Sequence, residues 1–408
     1  MKEGSDNEGF IKRMFRKYYI EWRGEPPKDF NRREFAFMIS RKGDIVRHKA
    51  FEEWGEVKEF LYKNSPLHTY YSSAYYAQPS APDMDAKEWM GADLIFDIDV
   101  DHIYTPCKEQ HDKWTCLDCG VTSNGIPPEA CPKCSSKRIE AKTWFCEKCL
   151  EVAKEETIKL VEDFLIQDFG FSPQEISIVF SGRRGFHIHV ESDVVRELDQ
   201  RARREIVDYV RGNGLVVQDR KRKVLVPPLN AGGWPGRIAK GVYELLNSKS
   251  AKMFLNLKGG SKAEEAIKVI IKGLEEAQDY WPLEGIARRI WLKAVEEVIA
   301  HKRCEVDERV TTDIKRLIRL PGTLHGGTGL IAVKVSLRDL ESFDPYVHAV
   351  AFVKGEVRVK ILSMPRITFL NQTWGPCSDK VVEVPMGLAM YLICSENAIV
   401  ISEGVQDA

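Results

Sequence analysis

Between residues 92 and 104 the chain reads ADLIFDIDVDHIY, in which Asp97, Asp99 and Asp101 alternate with Phe96, Ile98 and Val100. In an extended strand, residues two apart share a face and lie roughly 6–7 Å from each other. Asp97 and Asp99 can therefore converge on one site. Neighbouring carboxylates on an apolar strand repel each other and lose solvation, so something cationic must compensate. Hard divalent ions such as Mg²⁺ or Mn²⁺ do so with oxygen ligands, and they are the usual agents of phosphoryl and nucleotidyl transfer. The plain alternative is an edge strand with one solvated polar face.

Two further segments suit the same chemistry, because a nucleoside triphosphate needs cations and donors for its phosphates as well as metal. ISIVFSGRRGFHIHV, residues 176–190, predicts a hairpin with Gly182-Arg183-Arg184-Gly185 at its tip. Ser181, Arg183, Arg184 and His187 then crowd a tight turn able to grip phosphate oxygens. His187 and His189 fall on one face of the second strand, Phe186, Ile188 and Val190 on the other. DERVTTDIKRLIRLPGTLHGGTG, from residue 307, adds Asp307, Asp313, Arg319 and His325 beside a Gly-rich turn. By themselves these residues also describe solvent-facing turn arginines, a satisfied sheet histidine and an ordinary loop.

A second chemistry is metal binding by sulfur. Cys107, His111, Cys116, Cys119, Cys131, Cys134, Cys146 and Cys149 make eight ligands, enough for two tetrahedral zinc sites. Cys116-x2-Cys119 and Cys131-x2-Cys134, with Gly120 after the first pair, have the form of a zinc ribbon. That leaves Cys107, His111, Cys146 and Cys149 as an outer set; pairing consecutive ligands would instead join Cys107, His111, Cys116 and Cys119. Neither scheme leaves an open position, so the expected role is structural. Trp114 and Trp144 are expected to pack at the ribbon's base, and Cys304, Cys377 and Cys394 to be buried small residues.

These residues need elements to hold them. The chain has 408 residues, 43% hydrophobic and 30% charged, with a formal net charge of −1, as expected of a globular protein with a sizeable core. No run of about 18 apolar residues suggests a membrane span, and the N-terminus lacks a secretory signal's apolar segment, so an intracellular protein is expected. Basic clusters occur at Lys12, Arg13, Arg16 and Lys17, at Arg32 and Arg33, at Arg201, Arg203 and Arg204, and in DRKRK at 219–223. Each is most simply a solvated face. Residues 8–23 and 150–169 predict helices, 33–51 a strand, turn and strand, and 65–85 a surface connection. Helical periodicity fills 195–303, interrupted by a Gly/Pro-rich loop at 226–241. Ser192 and Ser261 stand as candidate N-caps, and β character returns after 329.

In this order and spacing DIDVD, SGRRGFHIHV and RLIRLPGTLHGGTG resemble the catalytic motifs of the archaeal and eukaryotic DNA primase small subunit, in its archaeal branch. The similarity runs from REFAF and YYSSAYY to the strands after 330. It implies that Asp97, Asp99 and Asp307 bind two catalytic Mg²⁺ or Mn²⁺ ions, with Asp313 the competing third carboxylate. Ser181, Arg183, Arg184 and His187, with Arg319 and His325, would hold the triphosphate. The outer cysteine set resembles the family's single zinc site, and the inner ribbon is an addition to it. The implied fold class is α/β (α+β): a primase-type core of two β-sheets flanked by helices, with a helical insertion and a zinc-binding module. The expected organisation is 1–192 as the first part of the core, with the zinc module at 105–150 and the extra ribbon at 114–144. Residues 193–303 form the insertion and 304–408 the second part. The implied function is DNA-dependent synthesis of short RNA primers, with DNA allowed, on single-stranded DNA, with a large subunit as partner, in the cytoplasm at replication sites. Other assignments are a repair or damage-tolerant primase-polymerase and, from another class, a non-catalytic zinc-ribbon nucleic-acid-binding protein.

Overall fold

The structure, a computed structural model, describes residues 3–215, 224–248 and 260–403, so the basic run at 219–223 lies outside the described residues. The chain forms two units: residues 1–158, 173–203 and 307–408 make the first, and 159–172 with 204–306 the second.

Two four-stranded sheets underlie the first unit. One has the order Leu317–Arg319, His68–Ser72, Phe35–Met38, Ile45–Lys49, and the other Lys334–Val335, Ile176–Phe180, Gly185–Val190, Leu94–Asp99. Every pairing in them is antiparallel. The period of two is visible in the last strand: Leu94, Phe96 and Ile98 are fully buried while Asp97 and Asp99 are partly exposed. Strand Gly185–Val190 is central and buried on both faces, so His187 and His189 are buried too. A three-stranded sheet, ordered Cys377–Pro385, Glu356–Met364, Ala398–Glu403, is packed by the wholly buried helix Met386–Cys394. The architecture is the mixed α+β class expected, although Tyr346 opens the returning β region inside a short helix, Pro345–His348.

The expected surface connection at 65–85 is corrected. His68–Ser72 is an inner strand of the first sheet, and Ala74–Tyr76 pairs with Trp89–Ala92. Tyrosine and serine can be buried when their polar tips find partners. The Tyr75 hydroxyl donates to Asp93 at 2.7 Å and accepts from Arg33 at 2.6 Å, and the Ser72 hydroxyl donates to the Ala74 carbonyl at 2.6 Å. Two cations of the basic clusters are structural for the same reason. Arg33 is buried in a 2.7 Å ion pair with Asp93, and Arg203 donates to the carbonyls of Asp93 and Ala92, each at 2.8 Å.

In the second unit helices Gly233–Asn247, Gly260–Glu276 and Gly285–Lys302 pack on one another, with Trp234, Val242, Trp291 and Val298 buried. The first of them replaces much of the loop expected at 226–241. Glycine there serves close packing: a Cβ on Gly241 would lie 2.5 Å from a Val298 methyl. Ser192 takes the N-cap position of Asp193–Arg196 without a side-chain cap bond, and Ser261 falls inside its helix. Among the described residues no helix is long and apolar enough to cross a membrane.

Candidate active site

The carboxylate strand Leu94–Asp99 is the outer strand of its sheet, and Asp307 closes its free edge. The Asp307 N–H donates to the Asp97 carbonyl at 2.9 Å. Its side chain accepts from the Arg309 N–H at 2.8 Å and so caps the short helix Glu308–Thr312. Burial, then the charges of Asp99 and Asp307, push the Asp97 carboxyl up to about 7, with Arg316 opposing. Asp99 is also raised, by burial and by the charge of Asp101. Asp313 sits elsewhere: its side chain accepts from the Lys315 N–H at 2.9 Å, and its charge bears on Tyr76 and Arg203. Among the described residues Asp97, Asp99 and Asp307 are not drawn to within 4.8 Å of one another.

The hairpin lies against this strand in a fixed register, His187 opposite Asp97 and Gly185 opposite Asp99. Gly185 is required there, because a Cβ would lie 1.9 Å from the Ile98 carbonyl oxygen. Gly182 turns the tip with φ +82°, and a Cβ on it would meet His325 at 2.8 Å. The third segment is thus packed onto the hairpin, with the Thr328 hydroxyl donating to the Gly182 carbonyl at 2.5 Å.

His187, Arg319 and His325 are buried, with His68 beside them. His68 and His325 meet edge to face at 4.7 Å between ring centroids, and the Arg319 guanidinium lies 5.0 Å over the Tyr70 ring. The Nδ1 atoms of His68 and His187 and the Nη1 of Arg319 are buried without a hydrogen-bond partner. Burial, reinforced by the surrounding cations, lowers all three histidines, His68 to about 3. They are neutral donors in a cationic field, an arrangement suited to an anion with many acceptor oxygens. Sequence reasoning missed His68 and Tyr70. The available signal was the alternation of His68, Tyr70 and Ser72 along one strand face.

Ser181 and Arg183 stay at the turn, where the Arg183 N–H donates to the Ser181 hydroxyl at 3.3 Å. Arg184 goes inward: it is buried, paired with the Asp101 carboxylate, and donates to the Trp144 carbonyl at 3.2 Å. Asp101 is therefore occupied by arginine, Arg183 also approaching it at 4.0 Å.

The cysteines resolve into two groups whose ligand atoms all lie within 4.8 Å of one another: Cys107, His111, Cys146 and Cys149, and Cys116, Cys119, Cys131 and Cys134. Sulfur separations of 3.5–3.8 Å match a tetrahedron with metal–sulfur bonds of about 2.3 Å. The His111 Nε2 lies 3.4 Å from Cys149 while Nδ1 faces Asp112 at 2.7 Å, the arrangement that orients a histidine ligand. Both groups could hold a metal ion. Trp114 and Trp144 are buried as expected, as are Cys304 and Cys394, whereas Cys377 is partly exposed.

Paired strand carboxylates, buried histidine and arginine donors and two cysteine groups that could hold metal all stand in the first unit, and the relatives of the chain are of one kind. The family described as DNA primase small subunit matches residues 132–337. Proteins named DNA primase small subunit from Archaeoglobus fulgidus, Methanosarcina barkeri and Methanothrix thermoacetophila are 35%, 34% and 32% identical to the chain. The matches cover 95%, 94% and 95% of this chain and 97%, 94% and 98% of those relatives. The chain belongs to the DNA primase small subunit family, and its activity is that of a primase, a nucleotidyltransferase.

Proposed function

We propose that the chain is the catalytic subunit that builds short RNA primers, and DNA where dNTPs are used, on a single-stranded DNA template, working as a heterodimer with a primase large subunit. The observation that carries this is the placement of Asp97 and Asp99 on one strand face with Asp307 bonded to the Asp97 carbonyl, beside buried donors without partners. Asp97, Asp99 and Asp307 would hold two Mg²⁺ or Mn²⁺ ions. Bound there, the ions supply Lewis-acid activation of the primer 3′-hydroxyl and charge stabilisation for the departing pyrophosphate.

The chain's own residues do the rest. Ser181, Arg183 and His187 from the hairpin, with Arg319, His325 and the added His68, hold the triphosphate and orient its reacting phosphorus. Arg184 serves the hairpin through Asp101 rather than on the phosphates. Zinc is the metal proposed for both cysteine groups, one ion each, in structural roles. The proposed organisation keeps 1–192 and 304–408 as the two parts of the core and 193–303 as a helical insertion.

The test is unprimed synthesis on single-stranded DNA with NTPs or dNTPs and Mg²⁺ or Mn²⁺, with and without the large subunit. Asp97→Ala or Asp99→Ala should abolish product with the fold intact, and normal synthesis by either would sink the assignment. Loss with Asp307→Ala but not Asp313→Ala identifies the third carboxylate.

A further inference from the structure

The turn Val100–His102, which follows the carboxylate strand, is held from the cysteine module at two points. Lys108, next to the ligand Cys107, is buried, and its ammonium donates to the carbonyls of Val100, Ile103 (2.7 Å) and Asp101 (3.5 Å). Burying an ammonium is costly unless its donors are satisfied, and here all three are spent on one turn. Arg184 makes the second tie. It joins the Asp101 carboxylate to the Trp144 carbonyl, and the Trp144 N–H donates to Asp112 Oδ1 at 2.9 Å. That same oxygen faces His111 Nδ1. At the other end the Asp101 N–H donates to Asp99 Oδ1 at 2.8 Å. A continuous chain of polar contacts thus runs from the ligand His111 to the carboxylate of Asp99.

We infer that Lys108 and Arg184 are positioning residues through which the outer cysteine group sets the orientation of Asp99 toward its divalent ion. The inference rests on the reading of Asp97, Asp99 and Asp307 as the ion site. Asp99 closes its strand, is partly exposed, and has its Oδ1 held by the Asp101 N–H. A carboxylate so placed depends on outside support for its angle, and such support typically sets metal affinity. The inner group's polar contacts stay within the ribbon, Asp118 accepting from Ser136 at 2.5 Å and from Arg138 at 2.6 Å.

Simple electrostatics has the opposite sign. Lys108 and Arg184 are cations, so removing either should tighten binding of a divalent cation if charge alone mattered. Positioning instead requires weaker binding. The deciding experiment measures Mn²⁺ binding to the full-length chain without nucleotide, by the electron paramagnetic resonance of free Mn²⁺, with zinc counted on each preparation. Lys108→Met and Arg184→Met should keep two zinc per chain and weaken Mn²⁺ about tenfold. Lys113→Met, an exposed lysine on the ribbon strand Lys113–Cys116, should leave the affinity unchanged. Unchanged or tighter Mn²⁺ binding in Arg184→Met overturns the inference, and so does the same result in Lys108→Met with its zinc retained. Should Lys108→Met lose the outer zinc, Arg184→Met, which adjoins no ligand, decides alone. Wild-type Mn²⁺ binding by Asp99→Ala would instead mean that the carboxylate assignment itself is wrong.

Discussion

The carboxylate site and the cysteine groups both crowd groups that lose protons, and they handle the crowding in opposite ways. Among the thiols protons are shared: the hydrogen bond with Cys146 pushes Cys149 down to about 3 and drives Cys146 up. Four ligand atoms then fit within 4.8 Å. The carboxylates have no such arrangement. Asp97 keeps its proton up to about 7, and among the described residues the three side chains do not all close to within 4.8 Å of one another. Closed sulfur sets are how proteins build frames, while wider oxygen sets leave coordination positions for substrate and water. The two cysteine groups also differ from each other. The outer one includes buried Cys107 and Cys149 and adjoins the tie to Asp101, whereas the inner one includes the exposed Cys134.

Changing one carboxylate should have the largest consequence. Asp97→Asn is expected to cut primer synthesis by about a thousandfold or more, since it removes ligand charge from a two-ion centre. The same variant should be the more stable protein at high pH. The folded Asp97 holds its proton more tightly than the unfolded one, so its contribution to stability is complete below about 4 and lost as pH rises through about 7. An always-neutral asparagine escapes that loss. Melting temperatures without added divalent ion should therefore diverge between pH 4 and 8, with the variant ahead, and parallel curves would break the contrast with the thiols.

Next comes the outer group: Cys149→Ser should lower synthesis roughly 10- to 100-fold and cost one zinc, as read by metal analysis and primer yield. A smaller effect follows from proton competition. With Asp97 titrating near 7, the Mg²⁺ concentration for half-maximal synthesis should rise about tenfold from pH 8 to pH 6, and a flat profile would count against the carboxylate's role. Smallest of all, Cys116→Ser with Cys119→Ser should remove the other zinc and leave extension on a pre-formed primer within about threefold. A loss equal to that of Cys149→Ser would erase the distinction between the two groups.

Much of the site was legible because its signals are local. A period of two put Asp97 and Asp99 on one strand face, and glycines flanking two arginines between β-rich runs gave the hairpin. Ligand spacing pointed to the nested cysteine groups that the structure assembles. What was not legible depends on long-range packing. Asp307 and Asp313 are the same residue type six positions apart, and only their placement in the fold separates them, Asp307 bonded to the Asp97 carbonyl and Asp313 to the Lys315 N–H. Arg183 and Arg184 are identical neighbours, yet one remains at the turn and the other is buried against Asp101. His68 was hidden in a Tyr/Ser-rich stretch whose composition says loop, because burial of those hydroxyls relies on partners such as Asp93 and Arg33 that sequence cannot place. The helix Gly233–Asn247 reads as a loop by composition because glycine breaks isolated helices, whereas here it is a point of close approach.

Gly185 works as a ruler. With no side chain between it and the Ile98 carbonyl, the hairpin and the carboxylate strand are held at ordinary sheet spacing, about 4.8 Å. The span from the residues proposed for phosphate to those proposed for metal is therefore measured in backbone, and it cannot be adjusted by altering any functional side chain. A single added methyl at this position would force the two strands apart at the Ile98 carbonyl and so shift both halves of the proposed reaction centre, although it belongs to no functional side chain.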